Sequence, residues 1–457
     1  MNKFTGKILT VALGAGLVLS ACSGEGDTDS ESAEQTGEEI ISKLINEEYE
    51  DIYSEYFTAN LQASLSSDDF GDNWESRTED AGSFLEISSI TAADWNDTHS
   101  VAEAILEYTE STVEVRMTIN SDDQLDGFNI TGIYASNELP EGAVEEEVTI
   151  GEGTDYELGG TLTIPVEPLD GAPAVVLVHG SGPIDRDGSA FAYKPFRDLA
   201  WGLAENGVAV LRYDKRTYTH SASMDPDSMN RFTVNEETIE DAVRAADLLK
   251  SDDRFNEENI YLIGHSLGGM LAPRIDKDGG DFAGVAILAG SPRPLWEIIY
   301  DQNINMLENE SAEMSEQEKT EFLHLVEAEM QKARNLEEMT DEEAAQSTLF
   351  GLPAYYFKEM DQYNPGEIAA ELDKPLFIAQ GEADFQVSVE EDFSAWHDYL
   401  EETGDNVTFI TYSQLNHFFV PSEGPEAGTA GEYELPATVE AQVIADIAEW
   451  MEETSGN

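Results

Sequence analysis

One serine in this chain stands where an apolar run gives way to a helical one. The segment Ile260-Tyr261-Leu262-Ile263-Gly264-His265-Ser266-Leu267-Gly268-Gly269-Met270 reads as a strand that turns into a helix at Ser266, with glycines two residues before and two after it. Glycine there removes the Cβ atoms that would collide when strand and helix meet so tightly, and it leaves the hydroxyl exposed. The N–H groups that follow Ser266 open a helix and can hold an oxyanion. The chemistry implied is nucleophilic attack. A serine hydroxyl is a poor nucleophile until an imidazole accepts its proton, and the imidazole needs a carboxylate to fix its tautomer. A Gly-x-Ser-x-Gly turn alone is equally a helix cap, so the partners decide.

The chain has seven histidines: His99, His179, His220, His265, His324, His397 and His417. His265 sits beside Ser266 and points the wrong way, His179 belongs to a loop after another strand, and His99 lies in a separate N-terminal region. His220 precedes the elbow, while His324 and His397 fall in acidic helical stretches. His417 differs. It follows the β-branched and aromatic run 407–412 in a loop just beyond that strand's end, where a base must hang. Upstream, the apolar strand 375–380 ends in Gly381-Glu382-Ala383-Asp384, which makes Asp384 the third member, with Glu382 its neighbouring alternative.

The order Ser266, Asp384, His417 is the chain order of the α/β-hydrolases, which the sequence resembles from about residue 144 to residue 453. The small-residue loop of Val178-His179-Gly180-Ser181-Gly182-Pro183 looks like the oxyanion loop of that family. The resemblance implies backbone donors at Ser181 (or Gly180) and at Leu267, the residue after the nucleophile. The loop continues as Asp185-Arg186-Asp187-Gly188, where the interleaved arginine argues for an internal salt bridge rather than a cation site. This loop, with Leu211-Arg212-Tyr213-Asp214-Lys215-Arg216, is similar to a bacterial carboxylesterase and serine-aminopeptidase-like branch; residues 211–216 also read as a buried-edge ion-pair cluster. The resemblance implies hydrolysis of a small-molecule ester or acyl substrate through an acyl-enzyme, with no cofactor and no metal. A peptidase or amidase of the same fold is the alternative, since fold does not settle substrate. A surface lipoprotein that only holds ligand is the third reading.

Around these landmarks the chain alternates as an α/β, doubly wound, mostly parallel sheet requires. Strands are expected at 174–178, 208–213, 260–264, 283–288, 376–380 and 408–412, and helices at 196–205, 234–250, 270–276 and 436–453. A hairpin, 146–150 with 158–165, supplies antiparallel strands at one edge. The alternation breaks at about 292–365, a helix-rich insertion placed as a lid. Its Met306, Leu307, Met314, Met330, Leu349, Phe350, Tyr355, Tyr356, Phe357 and Met360 are candidates either for an acyl pocket, above all at 350–357, or for the lid's own core.

The N-terminus reads as a lipoprotein signal peptide over residues 1–21: Lys3 and Lys7, an apolar stretch 8–19 too short for an ordinary membrane span, and the lipobox Leu19-Ser20-Ala21-Cys22. Cys22 is the sole cysteine. Its resemblance to the bacterial lipoprotein motif implies a diacylglycerol on its sulfur and an enzyme anchored at the extracytoplasmic face of the cell membrane. Residues 22–39 read as a disordered acidic tether. Residues 40–137 read as a small α+β domain of two helices and a four-strand meander, similar to the domain that precedes the hydrolase in Gram-positive lipoproteins, and residues 144–457 as the hydrolase domain. The formal charge is −72, from 95 acidic and 23 basic residues. Such a surface repels nucleic acid and its own like charges, as in an enzyme of salty surroundings. Raising ionic strength from 0.01 to 1 M shortens the Debye length from ~30 Å to ~3 Å, so the unfolding midpoint is expected to rise across that range; a flat thermal-melt series would refute this.

Overall fold

The computed structural model describes residues 30–455, apart from 97, 110, 136–138, 167–171, 222–223, 225–228, 310–313, 402, 404–405 and 425. The expected signal peptide, the expected lipobox at Cys22 and residues 22–29 of the expected tether lie outside the described residues.

The eight-stranded sheet is built from short apolar runs whose alternate side chains go to opposite faces. In β7 (Ala174–Val178), β8 (Ala209–Tyr213), β9 (Ile260–His265), β10 (Val285–Leu288) and β13 (Leu376–Gly381) every residue is buried, as strands covered on both faces require. Val176, Leu262, Ile287 and Ile378 enter one core with helices Glu240–Lys250, Leu267–Ile275 and Ser394–Leu400. Val175, Ile263, Ala286 and Phe377 enter the other with helices Pro195–Glu205 and Ala441–Thr454. At about 25 cal/mol per Å² of apolar surface, each buried Val, Leu or Ile contributes roughly 1.5–3 kcal/mol, and these two layers hold the sheet.

With β14 (Val407–Tyr412) and the hairpin β5 (Ala143–Ile150) and β6 (Leu158–Pro165), the strand order is β14-β13-β10-β9-β7-β8-β6-β5. Neighbours from β8 to β14 run parallel, while β6 is antiparallel to both β8 and β5. The expected sheet and edge hairpin are therefore present. The last helix starts at Ala441 rather than 436. The backbone N–H of Val439 instead bonds the buried Asp198 carboxylate, which holds the segment before the helix in another conformation.

Between β10 and β13 the insertion carries helices Leu295–Asn309, Glu316–Ala333, Asp341–Ala345 and Ala354–Met360, with a two-residue ladder of β11 (Thr348–Leu349) and β12 (Leu352–Pro353). Capping boxes at Ser315/Glu318 and Thr340/Glu343 fix two helix starts. Most of the lid's Met and aromatic residues pack with one another. Leu349, Phe350 and Phe357 form its core with Phe322 and Val326, and Met306, Leu307, Met314 and Tyr355 pack against them.

The N-terminal unit departs from expectation in two ways. Residues 30–39, expected to be part of a disordered tether, belong to a helix, Ser30–Ile45. The acidic composition conceals a stripe of Ala33, Ile40, Ile41 and Leu44 at helical spacing, all buried on the meander. Among the described residues four α-helices precede the meander rather than two: Ser30–Ile45, Tyr49–Glu55, Ala59–Ser64 and Ser67–Thr78. Side-chain caps at Thr58 and Ser66 start the third and fourth of these helices and keep the segment in short pieces. The strands β1 (Phe84–Asn96), β2 (His99–Tyr108), β3 (Ser111–Asn120) and β4 (Leu125–Ala135) pair in sequence order. This unit touches the larger domain through Lys194, which bonds Glu114 at 3.1 Å and lies 4.2 Å from the centre of the Tyr134 ring.

Candidate active site

Ser266 sits at the carboxyl end of β9 with φ 55° and ψ −118°, a strained conformation for a residue with a Cβ. Its N–H donates to the Leu288 carbonyl at 2.9 Å, and its own carbonyl accepts from the Met270 N–H at 3.0 Å, which opens the helix. The turn closes only because of the flanking glycines. A Cβ on Gly264 would lie 2.3 Å from the Gly268 carbonyl oxygen, and one on Gly268 would lie 2.3 Å from that of Val178. The loop after β7 is pressed on the serine from the other side, since a Cβ on Gly180 would come within 3.2 Å of the Ser266 Cβ.

His417 and Asp384 meet at the ends of β14 and β13. His417 Nδ1 lies 2.7 Å from Asp384 Oδ2, and both side chains are fully buried. Asp384 accepts three further bonds: from Gln380 Nε2 at 2.7 Å, and on Oδ1 from the N–H groups of Gln386 at 2.7 Å and Val387 at 3.0 Å. With three N–H donors already on the Asp384 carboxylate, the 2.7 Å contact with His417 is a hydrogen bond donated by Nδ1, which leaves Nε2 as the acceptor. His417 Nε2 is left without a hydrogen-bond partner. Glu382, the alternative third member, bonds Thr411 instead.

His265, set aside from the sequence, has a part in the site. Its Nε2 lies 2.8 Å from the His417 carbonyl oxygen, which can only accept, so His265 carries its proton there. Its ring stacks on Phe418 and packs 4.8 Å from the His417 ring, bracing the loop that holds the base. Burial, with the neighbouring His417, pushes the His265 pKa down to about 3. Burial and the nearby Lys215 do the same to His179, whose Nε2 donates to the Asp185 carbonyl. Both rings stay neutral in the fold and gain a proton on unfolding below their ordinary pKa of 6.5. Stability is therefore expected to fall as pH drops from about 6.5 toward 3, by up to about 1.4 kcal/mol per pH unit for each histidine. Urea unfolding at pH 7 and pH 5 measures this, and His265→Gln should remove about half of the loss assigned to the pair.

Ser181, Ser266 and Leu267 line one small space of about 30 Å³, which Leu295, Ile298, Ile299 and Gln302 of the first lid helix also line. The lid residues that line this space are thus Leu295, Ile298, Ile299 and Gln302, and none of them comes from the aromatic stretch 350–357 singled out from the sequence. Phe350 and Phe357 pack in the lid's own core, and Tyr356 bonds Glu237. Met270 and Leu295 also border a second cavity of about 940 Å³ behind this one.

In the segment 185–188 the expected internal salt bridge is replaced by bonds to other strands. Arg186 pairs with Asp214 at 2.8 Å and Glu147 at 2.7 Å, Asp187 accepts from Arg212, and Asp185 accepts from Ser189. A guanidinium reaches farther than its own loop, and the carboxylates of β5 and the β8 turn lie within that reach.

Residues 175–430 match the alpha/beta hydrolase family. Residues 37–128 match a second family, described as a protein of unknown function, DUF3887. Esterase EstD of Thermotoga maritima is 31% identical over 417 residues, which span 90% of this chain and 93% of that protein. Among solved structures, Est1E from Butyrivibrio proteoclasticus aligns at a TM-score of 0.41 and 17% identity, over 67% of this chain and 98% of its own. A puromycin-hydrolyzing peptidase of Mycobacterium tuberculosis aligns at 0.46 and 15%, over 82% and 48%. From the family match over its larger domain and the relative spanning nearly its whole length, the chain belongs to the alpha/beta hydrolase family.

Proposed function

We propose that this chain is a serine carboxylesterase in which Ser266, His417 and Asp384 act together. The observation that carries the reading is the buried His417–Asp384 pair at 2.7 Å, its outer nitrogen unpartnered, at the same sheet end as the strained Ser266. His417 Nε2 takes the Ser266 proton as Oγ attacks the ester carbonyl. The N–H groups of Leu267 and Ser181 (or Gly180) face the oxyanion, and the alkoxide leaves with the proton returned by His417. Water, deprotonated by the same imidazole, then releases the acid from Ser266. The 31% identity to a protein named as an esterase supports esters over amides.

The narrow space at Ser266, walled off by Met270 and Leu295 from the larger cavity beside it, favours a short acyl group. Acetyl and propionyl p-nitrophenyl esters are expected to turn over faster than octanoyl. Met270→Ala/Leu295→Ala, which joins the space to the 940 Å³ cavity, should raise the octanoyl-to-acetyl ratio roughly 10-fold. An unchanged ratio would reject this wall as the limit on acyl size. The test of the reading itself is the same ester panel beside aminoacyl p-nitroanilides, with Ser266→Ala as control: turnover of anilides alone moves the assignment to a peptidase.

The lipobox supports an anchored enzyme on the extracytoplasmic face of the membrane, held by a diacylglycerol on Cys22, and the charge of −72 supports work in salty surroundings. Palmitate labelling that persisted in Cys22→Ser would reject the anchor.

A further inference from the structure

The turn after β8 carries charges that the proposed chemistry does not use. Lys215 is 1% exposed, a burial an ammonium tolerates only when paired and hydrogen-bonded. Its Nζ lies 2.6 Å from Glu237 Oε1 and donates to the Gly180 carbonyl oxygen, also at 2.6 Å. The other Glu237 oxygen accepts from the Tyr356 hydroxyl at 2.7 Å, and Tyr356 stands on the lid helix Ala354–Met360. The same turn grips the loop after β7 twice more, through the Lys215 N–H to the Ile184 carbonyl at 3.0 Å and Thr217 Oγ1 to that of Gly182 at 3.5 Å.

The oxygen held by Lys215 belongs to the peptide that joins Gly180 to Ser181. In a trans peptide the C=O and N–H point in opposite directions, so anchoring that oxygen aims the Ser181 N–H away from Lys215. Gly180 lies against the Ser266 side chain, and Ser181 lines the space beside it. A charged donor on the carbonyl also polarises the amide and strengthens its N–H as a donor.

We propose that Lys215 is a positioning residue for the oxyanion site: its ammonium fixes and polarises the Gly180–Ser181 peptide so that the Ser181 N–H meets the oxyanion formed at Ser266. Glu237 neutralises the ammonium, and Tyr356 ties Glu237 to the lid, which couples lid placement to the oxyanion loop. The inference rests on the serine-hydrolase reading above and chooses Ser181 over Gly180 as the loop donor.

Lys215→Met/Glu237→Gln removes both charges together and leaves no carboxylate stranded. Its kcat for p-nitrophenyl acetate is expected to fall roughly 10- to 100-fold with KM within about 2-fold. Affinity for an alkyl trifluoromethyl ketone, whose serine adduct places an oxyanion in the same site, should fall in parallel with kcat/KM. Unchanged kcat, or lost kcat with unchanged ketone affinity, overturns the proposal. Should the double variant lose its native melting transition, Tyr356→Phe carries the test: it deletes one bond to Glu237, and a parallel loss of about 2- to 5-fold in kcat and ketone affinity is expected. No change in either then overturns it. Ser266→Ala assayed alongside separates the two readings. Activity surviving in Ser266→Ala sinks the catalytic assignment, whereas an inactive Ser266→Ala beside fully active Lys215 and Tyr356 variants sinks only the role of Lys215.

Discussion

Ser266→Ala is expected to lower kcat for p-nitrophenyl acetate by on the order of 10⁴-fold or more, with the melting transition retained, because the covalent route is lost while the fold is not. Asp384→Asn should cost a comparable ~10⁴-fold by a different path. All four neighbours of the Asp384 carboxylate are donors: His417 Nδ1, Gln380 Nε2 and the N–H groups of Gln386 and Val387. An asparagine must set its own NH₂ against one side of that ring of donors. Toward His417, it stabilises the tautomer with the proton on Nε2, which can no longer take one from Ser266; toward Gln386 and Val387, it opposes two backbone donors. Replacement of Glu382 by Gln, by contrast, should leave kcat within about 2-fold, since the exposed Glu382 carboxylate accepts from the Thr411 hydroxyl, away from His417. Steady-state kinetics on the three variants decide the assignment. A Glu382→Gln loss as large as that of Asp384→Asn would exchange their roles, and active Ser266→Ala would end the proposal.

Gly268→Ala should abolish stable folding. The added Cβ would sit 2.3 Å from the Val178 carbonyl oxygen and 2.6 Å from that of His179. Both obstacles are backbone, in the central strand β7 and the loop that faces Ser266, so no side chain can swing aside. Relief requires moving the helix Leu267–Ile275 off the sheet, which opens a core that includes Leu271 and Ile275. The cost is expected to exceed ~4 kcal/mol, a large fraction of a domain's stability. The control is Gly142→Ala, where an added Cβ meets nothing within 4 Å; its stability should stay within about 0.5 kcal/mol. Chemical denaturation of the two variants reads the difference, and a Gly268→Ala protein as stable as the Gly142→Ala protein would contradict the close packing at the elbow.

The positions of Ser266, Asp384 and His417 were legible because each follows a short apolar run, and a parallel sheet places the ends of such runs along one edge. The strand and helix alternation from 174 onward was legible for the same reason: periodicity and β-branched content are local properties. The helix beginning at Ser30 was not, because Ala33 and Gly37 bury against Ala102 and Met117 of strands far along the chain, and composition alone makes that stretch look like solvent-exposed linker.

What the sequence by itself determined is therefore which strand ends carry Ser266, Asp384 and His417 and their order along the chain, both written in neighbouring residues. The tertiary structure decided how those groups are braced and enclosed. His265 reaches the carbonyl of His417, 152 residues away, Lys215 reaches Gly180, and Leu295, Ile298 and Ile299 rather than the aromatic lid stretch line the space at Ser266. Each depends on the direction a side chain takes between elements distant in sequence, and no local pattern encodes that direction, because it is set by packing after the sheet and its helices have come together.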